Sequence, residues 1–215
     1  MSPRKYRMGA REASVEETRR RILEATCQLH GERGISGTSM VDVARRAEVS
    51  IGTVYRHFPN LDDLVDACGQ IVWQELSPPT LESLAAKGSI GERVRTLVGE
   101  VFDMYGRGGQ DMKLGMADIH RVKAVAEWFR RWEEHKESLV RAALGRREDD
   151  EKAIALLTAM TGLGVWESLM SKELRSDEAA DLVSRAFLAW LNTPLYKASK
   201  DGRASKSRRR APAVG

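Results

Sequence analysis

Between Thr38 and Phe58 the sequence places two short helical stretches on either side of a three-residue turn. Met40, Val43, Ala44 and Ala47 share one face of the first, behind a cap at Thr38 or Ser39. Glu48-Val49-Ser50 interrupts the pattern, and Ile51 to Phe58 resumes it until Pro59 stops the helix. A longer helical pattern precedes the pair and another follows it. This is the arithmetic of a helix-turn-helix, whose second helix enters the DNA major groove. In that second helix Val49, Val54 and Phe58 can turn inward, while Ser50, Gly52, Thr53, Tyr55, Arg56 and His57 fall on the opposite face. These are short hydrogen-bonding groups, a glycine that admits a close backbone approach, and side chains able to reach phosphates. Short helical pairs are also common as plain core elements, so spacing alone leaves both readings open.

The rest of the chain reads as helical. Residues 1–13 carry Arg4, Lys5, Arg7 and Arg11 without apolar periodicity and are read as a flexible basic arm. Helical signal starts near Ser14 and continues through Ile22, Ala25, Thr26 and Leu29, until the glycines from Gly31 to Gly37. Asn60 caps a helix carrying Leu61, Leu64, Val65, Cys68, Ile71 and Val72, which ends before Ser77-Pro78-Pro79. Ser89 and Glu92 form a capping box for a helix reaching Tyr105, which Gly106 to Gly109 should break. A shorter helix is predicted over Met112–Ile119, then helices over about 121–144, 150–174 and 176–191. No strand alternation is evident, so the fold class is all-α: an N-terminal three-helix helix-turn-helix domain (residues 14–60) and a C-terminal helical ligand-binding and dimerisation bundle (61–194). A disordered basic tail is expected over 195–215.

The net charge of +4 is unevenly spread. Residues 1–60 carry 11 Lys/Arg against 7 Asp/Glu, residues 61–196 carry 17 against 23, and residues 197–215 carry 7 against 1. A basic front end on an acidic body suits contact with a polyanion. The two cysteines, Cys27 and Cys68, cannot make a disulfide framework, fall within apolar helical patterns and read as buried, inert thiols in a reducing compartment. No stretch approaches the roughly 18 consecutive apolar residues of a membrane span, and no apolar leader segment is present. A cytoplasmic location without membrane contact is therefore expected. Enzymatic motifs are lacking: there is no Gly-rich phosphate loop after a strand, no H-E-x-x-H and no G-x-S-x-G. The four histidines have no metal-ligand spacing, so no catalytic residue, metal or cofactor is predicted.

Gly34-Ile35, Thr38-Ser39-Met40-Val41-Asp42-Val43-Ala44-Arg45-Arg46-Ala47 and Glu48-Val49-Ser50-Ile51-Gly52-Thr53-Val54-Tyr55-Arg56-His57-Phe58, with the helix start after Pro59, resemble the tetracycline-repressor (TetR) family of bacterial transcription regulators. The resemblance implies a homodimer on a pseudo-palindromic double-stranded DNA operator, released by a small-molecule effector in the C-terminal body. It places Thr38 and Ser39 at a capping position that touches phosphate. It places Thr53, Tyr55 and His57 on the recognition helix, with Ser50, Ile51, Gly52 and Arg56 beside them. Three departures stand out. Glu48 replaces a turn glycine, Ile51 a residue that is often polar, and Val41 and Leu61 occupy positions that are often basic or polar.

For the effector, the candidates are Met104, Tyr105, Met112, Met116, His120, Trp128, Trp132 and Trp166, with Asp118 and Arg121 as further polar groups. Such stripes also serve as plain core. Their composition favours a bulky apolar ligand. Residues 153–170 are apolar on nearly every side and, with Leu182, Val183, Ala186, Phe187 and Trp190, suit a four-helix dimer interface. The alternative is an effector-independent architectural or adaptor protein with the same DNA-binding end, distinguished by a filled core in place of a cavity.

Overall fold

The computed structural model describes residues 4–193. They form ten α-helices and one 3-10 turn, with no strand among them. The chain divides into two compact units, one holding residues up to Ser77 and Gly108–Glu134, the other Pro78–Arg107 and the residues from His135 on.

In the first unit, α1 (Arg4–Arg33) packs against α2 (Met40–Arg46), α3 (Ile51–His57) and α4 (Leu61–Leu76). Ile22, Leu29, Val43, Val54, Phe58 and Leu64 are all but fully buried in one cluster. Each short helix is held by its start. Ser39 accepts from the Asp42 amide, and Asp42 returns the bond to the Ser39 N–H. Ser50 Oγ accepts from the Thr53 amide at 3.1 Å, and Asn60 Oδ1 from that of Asp63 at 2.8 Å. The unit is completed by the second part of α6 (Ile90–Asp118) and the first part of α7 (Lys123–Leu144). Two polar bonds tie α7 to α4: the Ala124 N–H donates to Asp62, and Arg131 pairs with Asp66 at 2.8 Å.

The turn of the helix pair ends α2 in a Schellman motif, with Glu48 N–H on the Arg45 carbonyl and Val49 N–H on that of Ala44. The motif requires a left-handed residue, and Glu48 fills that place at φ 54°. Arg21 reaches across from α1 to the carbonyls of Ala47 and Glu48. A side chain in this conformation costs on the order of 1 kcal/mol. Glu48→Gly is therefore expected to raise stability by about 0.5–1 kcal/mol, because glycine adopts the conformation without a Cβ clash. Denaturant unfolding checks it, and an unchanged or lower stability would show that the Arg21 contacts outweigh the backbone term.

The second unit contains α5 (Leu81–Ala85), the first part of α6, the second part of α7, the 3-10 turn at Gly145–Arg147, α8 (Glu151–Met160), α9 (Leu163–Met170) and α10 (Ser176–Leu191). Its buried side chains include Leu97, Val101, Phe102, Leu139, Leu157 and Phe187.

The structure departs from the sequence reading in four places. Helix α1 already runs from Arg4, through Gly9, where a flexible arm through residue 13 was expected; from Ala10 to His30 the segment has no glycine or proline and is rich in Ala, Arg and Glu. The expected tail lies outside the described residues. Helix α6 continues through the glycines after Tyr105, with only Gly108 leaving helical geometry (φ −140°, ψ 20°). The helix expected over 150–174 instead breaks at Thr161-Gly162 into α8 and α9. Lastly, Cys27 and Cys68 are joined in a disulfide between α1 and α4 rather than standing as separate thiols. Their Cα atoms are 6.1 Å apart, within bridging range, a proximity that residues 41 apart in sequence do not announce.

Candidate DNA interface and effector cavity

Helix α3 turns Val54 fully inward and leaves Ile51, Gly52, Tyr55 and Arg56 exposed, with Tyr55 half accessible. Ser50 is exposed too, although its hydroxyl is engaged with the Thr53 amide and hydroxyl. His57 is half-buried. Burial, followed by the charges of Arg56 and Arg19, holds its pKa below the ordinary histidine value, so the ring favours the neutral form. Thr38 differs from the sequence expectation: it is buried, and its hydroxyl donates to the Gly34 carbonyl at 3.0 Å. Ser39 is the cap and is exposed. Arg45, at the end of α2, is also exposed and was not singled out from the sequence. Its side chain is three-quarters accessible, with Asp42 3.6 Å away.

The same unit holds a partly open cavity of about 240 Å³. Its walls are Cys27, His30 and Gly31 of α1; Val65, Cys68, Gly69, Val72, Trp73, Glu75 and Leu76 of α4; Asp111, Met112, Leu114 and Gly115 of α6; and Val125, Trp128, Phe129 and Trp132 of α7, with Ile35 from the loop after α1. Trp73 stands 5.8 Å from Trp128 and 5.6 Å from Trp132 between ring centroids. Gly69 lets Trp128 in, since a Cβ there would lie 2.5 Å from the indole nitrogen. The Arg131 guanidinium covers the Trp128 ring at 4.4 Å. Two shielded polar atoms of the wall, His30 Nε2 and Trp128 Nε1, have no hydrogen-bond partner among the described residues.

Met112, Trp128 and Trp132 thus line one cavity. Met104, Tyr105 and Trp166 belong to the second unit instead, where Met104 and Tyr105 are core and the Tyr105 hydroxyl donates to the Thr161 carbonyl at 3.0 Å. Met116 and His120 are exposed and absent from the wall. Asp118 is not an effector group. It is buried, and its carboxylate accepts the Ile35 and Ser36 amides, both at 2.9 Å. Burial raises its pKa, but the Ser36 and Ile35 bonds outweigh that and hold the carboxyl below its usual range. Gly34, in the left-handed region at φ 79°, turns the chain so that these amides face Asp118. Trp73 and Gly69 of α4 are not among the sequence candidates. Their apolar spacing resembles core, and only the arrangement of four helices reveals a void.

Residues 22–68 match the family model of the bacterial regulatory proteins of the tetR family. Over these residues the chain is similar to the TetR family. The HTH-type transcriptional regulator BetI of Escherichia coli K12 is 27% identical over 175 residues, covering 76% of this chain and 89% of that one. BetI of Paraburkholderia phymatum is 32% identical over 103 residues, 47% of this chain and 53% of that protein. A TetR-like transcriptional regulator from Rhodococcus sp. RHA1 shares the fold with a TM-score of 0.56 at 23% identity, over 81% of this chain and 94% of its own. The relatives are named as HTH-type transcriptional regulators, and the stretch matched by the family model holds the helix-turn-helix of this chain. No single helix among the described residues is long and apolar enough to cross a membrane.

On DNA, Arg56→Ala is expected to weaken binding to all sequences and lower the salt slope by about one counterion, while Tyr55→Ala weakens selected sites. Fluorescence anisotropy at several salt concentrations reads both. Wild-type affinity in the two variants would remove this face of α3 from the interface.

Proposed function

We propose that this chain is a DNA-binding transcriptional regulator of the TetR family, a cytoplasmic repressor that a small, largely apolar effector releases from a pseudo-palindromic operator. The observation that carries this reading is the cavity in the unit that also holds the helix-turn-helix. Its α1 and α4 walls are the helices that pack α2 and α3, so a ligand that spreads them acts on the recognition helix through direct packing. A filled core at this place would have favoured the effector-independent reading.

A homodimer is supported by the second unit. One face of α8 is buried through Ala153, Ile154 and Leu157, while Ala155 and Ala159 stay exposed. Along α10, Leu182, Ala186 and Ala189 are exposed at helical spacing. Phe187, an interface candidate in the sequence, is fully buried within one chain, and Leu163 is buried as well, so neither reports on dimerisation. A two-fold dimer presents two recognition helices to half-sites about 34–36 Å apart or a multiple of that.

The test is a screen of apolar compounds against the protein bound to DNA fragments it selects from a random pool. Releasing compounds should lower affinity by about 5–150-fold. Trp128→Ala should weaken the compound and leave DNA binding intact. A full response in Trp128→Ala and Trp132→Ala would remove the effector from this cavity, and no response to any compound would favour the effector-independent reading.

A further inference from the structure

We propose that Ile51 is a specificity-determining residue that reads the 5-methyl group of a thymine in the major groove, one in each half-site of the DNA. This rests on the DNA-binding reading above and names what its second helix selects. The apolar side chains around α3 divide into two sets. Val54 is buried in the core cluster and Val49, just ahead of the helix, packs against it, whereas Ile51 is 38% exposed and Tyr55 50%. Residues 51 and 55 are four apart, so both stand on one side of the helix. An isoleucine left in water contributes nothing to folding, and covering it with an apolar partner is favourable. The polar groups beside it are largely spent on the helix itself. Ser50 Oγ accepts the Thr53 amide at 3.1 Å and lies 2.8 Å from the Thr53 hydroxyl, so at most one hydroxyl hydrogen of the pair is left for a base. Gly52 keeps the approach open. A Cβ there would meet only Ser50 Oγ, at 3.9 Å, so no contact among the described residues requires a glycine, although glycine weakens a helix relative to alanine. Arg45 of α2 and Arg56 of α3 are exposed and suit the phosphates that border a groove.

The chemistry of the groove selects the base. The first turn of a recognition helix is the part that meets base edges, and Ile51 opens α3. A branched apolar side chain has no hydrogen bond to offer there. It can only take a methyl out of water, and in the major groove thymine is the base that carries one. Against cytosine the same side chain would strip water from the N4 amino group and return nothing. The preference is therefore for T·A over C·G at this position, and it is read from the methyl rather than from the pairing edge.

The full chain first selects fragments from a random DNA pool. Each thymine of the enriched sequence is then replaced singly by deoxyuridine, which keeps the pairing and removes only the methyl, and fluorescence anisotropy reads the affinity. At one thymine per half-site deoxyuridine should bind about three- to five-fold weaker. Cytosine there should bind weaker still, and 5-methylcytosine should recover part of the loss. Ile51→Ala should bind the thymine and deoxyuridine fragments equally and keep the parental salt slope, because Ile51 meets no phosphate. Ile51→Val keeps a branched end and should stay methyl-dependent. If no thymine of a tightly bound fragment is methyl-dependent for the parent chain, or if the dependence persists undiminished in Ile51→Ala, the proposal is overturned and the DNA-binding reading stands. If the pool yields no enriched sequence and the chain binds no DNA, that reading itself fails and the proposal falls with it.

Discussion

Lowering the pH from 7.5 to 5 is expected to cost this protein about 2 kcal/mol of stability through His30 alone, and about 3 kcal/mol by the time pH falls below 4. Burial places the folded-state pKa of His30 at about 4, against an ordinary value of 6.5, and the nearby Asp118 carboxylate only partly opposes this. The folded value is the lower one, so the unfolded chain takes up the proton first as pH falls. The stability is present in full above the unfolded pKa and is lost between about pH 6.5 and pH 4. Urea unfolding at both pH values, followed by tryptophan fluorescence, measures it. His30→Gln cannot titrate and should flatten that part of the pH dependence, leaving the acid loss from carboxylates. An unchanged slope in His30→Gln would mean that His30 is protonated as easily in the fold as in the open chain. Because His30 lines the cavity, a bound ligand that covers it should steepen the dependence further.

The second expected effect is that Asp118→Ala lowers stability by about 2–3 kcal/mol and frees the loop ahead of α2. The carboxylate is buried and accepts two backbone bonds, from Ile35 and Ser36. Its removal leaves two N–H groups without an acceptor in a part-buried place, which costs more than the bonds themselves contribute. Asp118 sits at the end of α6, three residues after Gly115 of the cavity wall, and the loop it holds leads to the Ser39 cap of α2. It therefore joins the cavity to the helix-turn-helix by a second route besides α4. In Asp118→Ala, amide exchange at Ile35 and Ser36 should quicken, and a releasing compound from the apolar screen should bind while changing DNA affinity less than in the parent. Asp118→Asn keeps an acceptor oxygen without the charge and should lie between the two. Parental exchange and parental coupling in Asp118→Ala would make the clasp irrelevant to both.

Much of this could be read from the residues before any coordinates. Helical spacing, the Ser39–Asp42 and Asn60–Asp63 starts, Pro59 and the turn at Glu48 are local features, decided within a few residues by hydrogen bonding and backbone sterics. They determined the all-α class, the helix-turn-helix and the outward face of α3. Even the unfavourable left-handed Glu48 was visible, because its chemistry depends only on its own φ and its neighbours. Features set by distant partners were not visible. Thr38 turned inward to Gly34, Phe187 went to the core, and Met104 and Tyr105 fell in a different unit from Trp128. Cys27 met Cys68, and Asp118 met a loop 82 residues away. An apolar stripe shows that a face will be buried without saying against what. A void exists only where several such faces fail to fill the space between them, and how Trp73, Trp128, Trp132 and Gly69 leave one is a matter of volume in three dimensions. Local order is written in short-range bonds along the chain; the cavity and its charge were decided by the packing of α1, α4, α6 and α7, which no single segment contains.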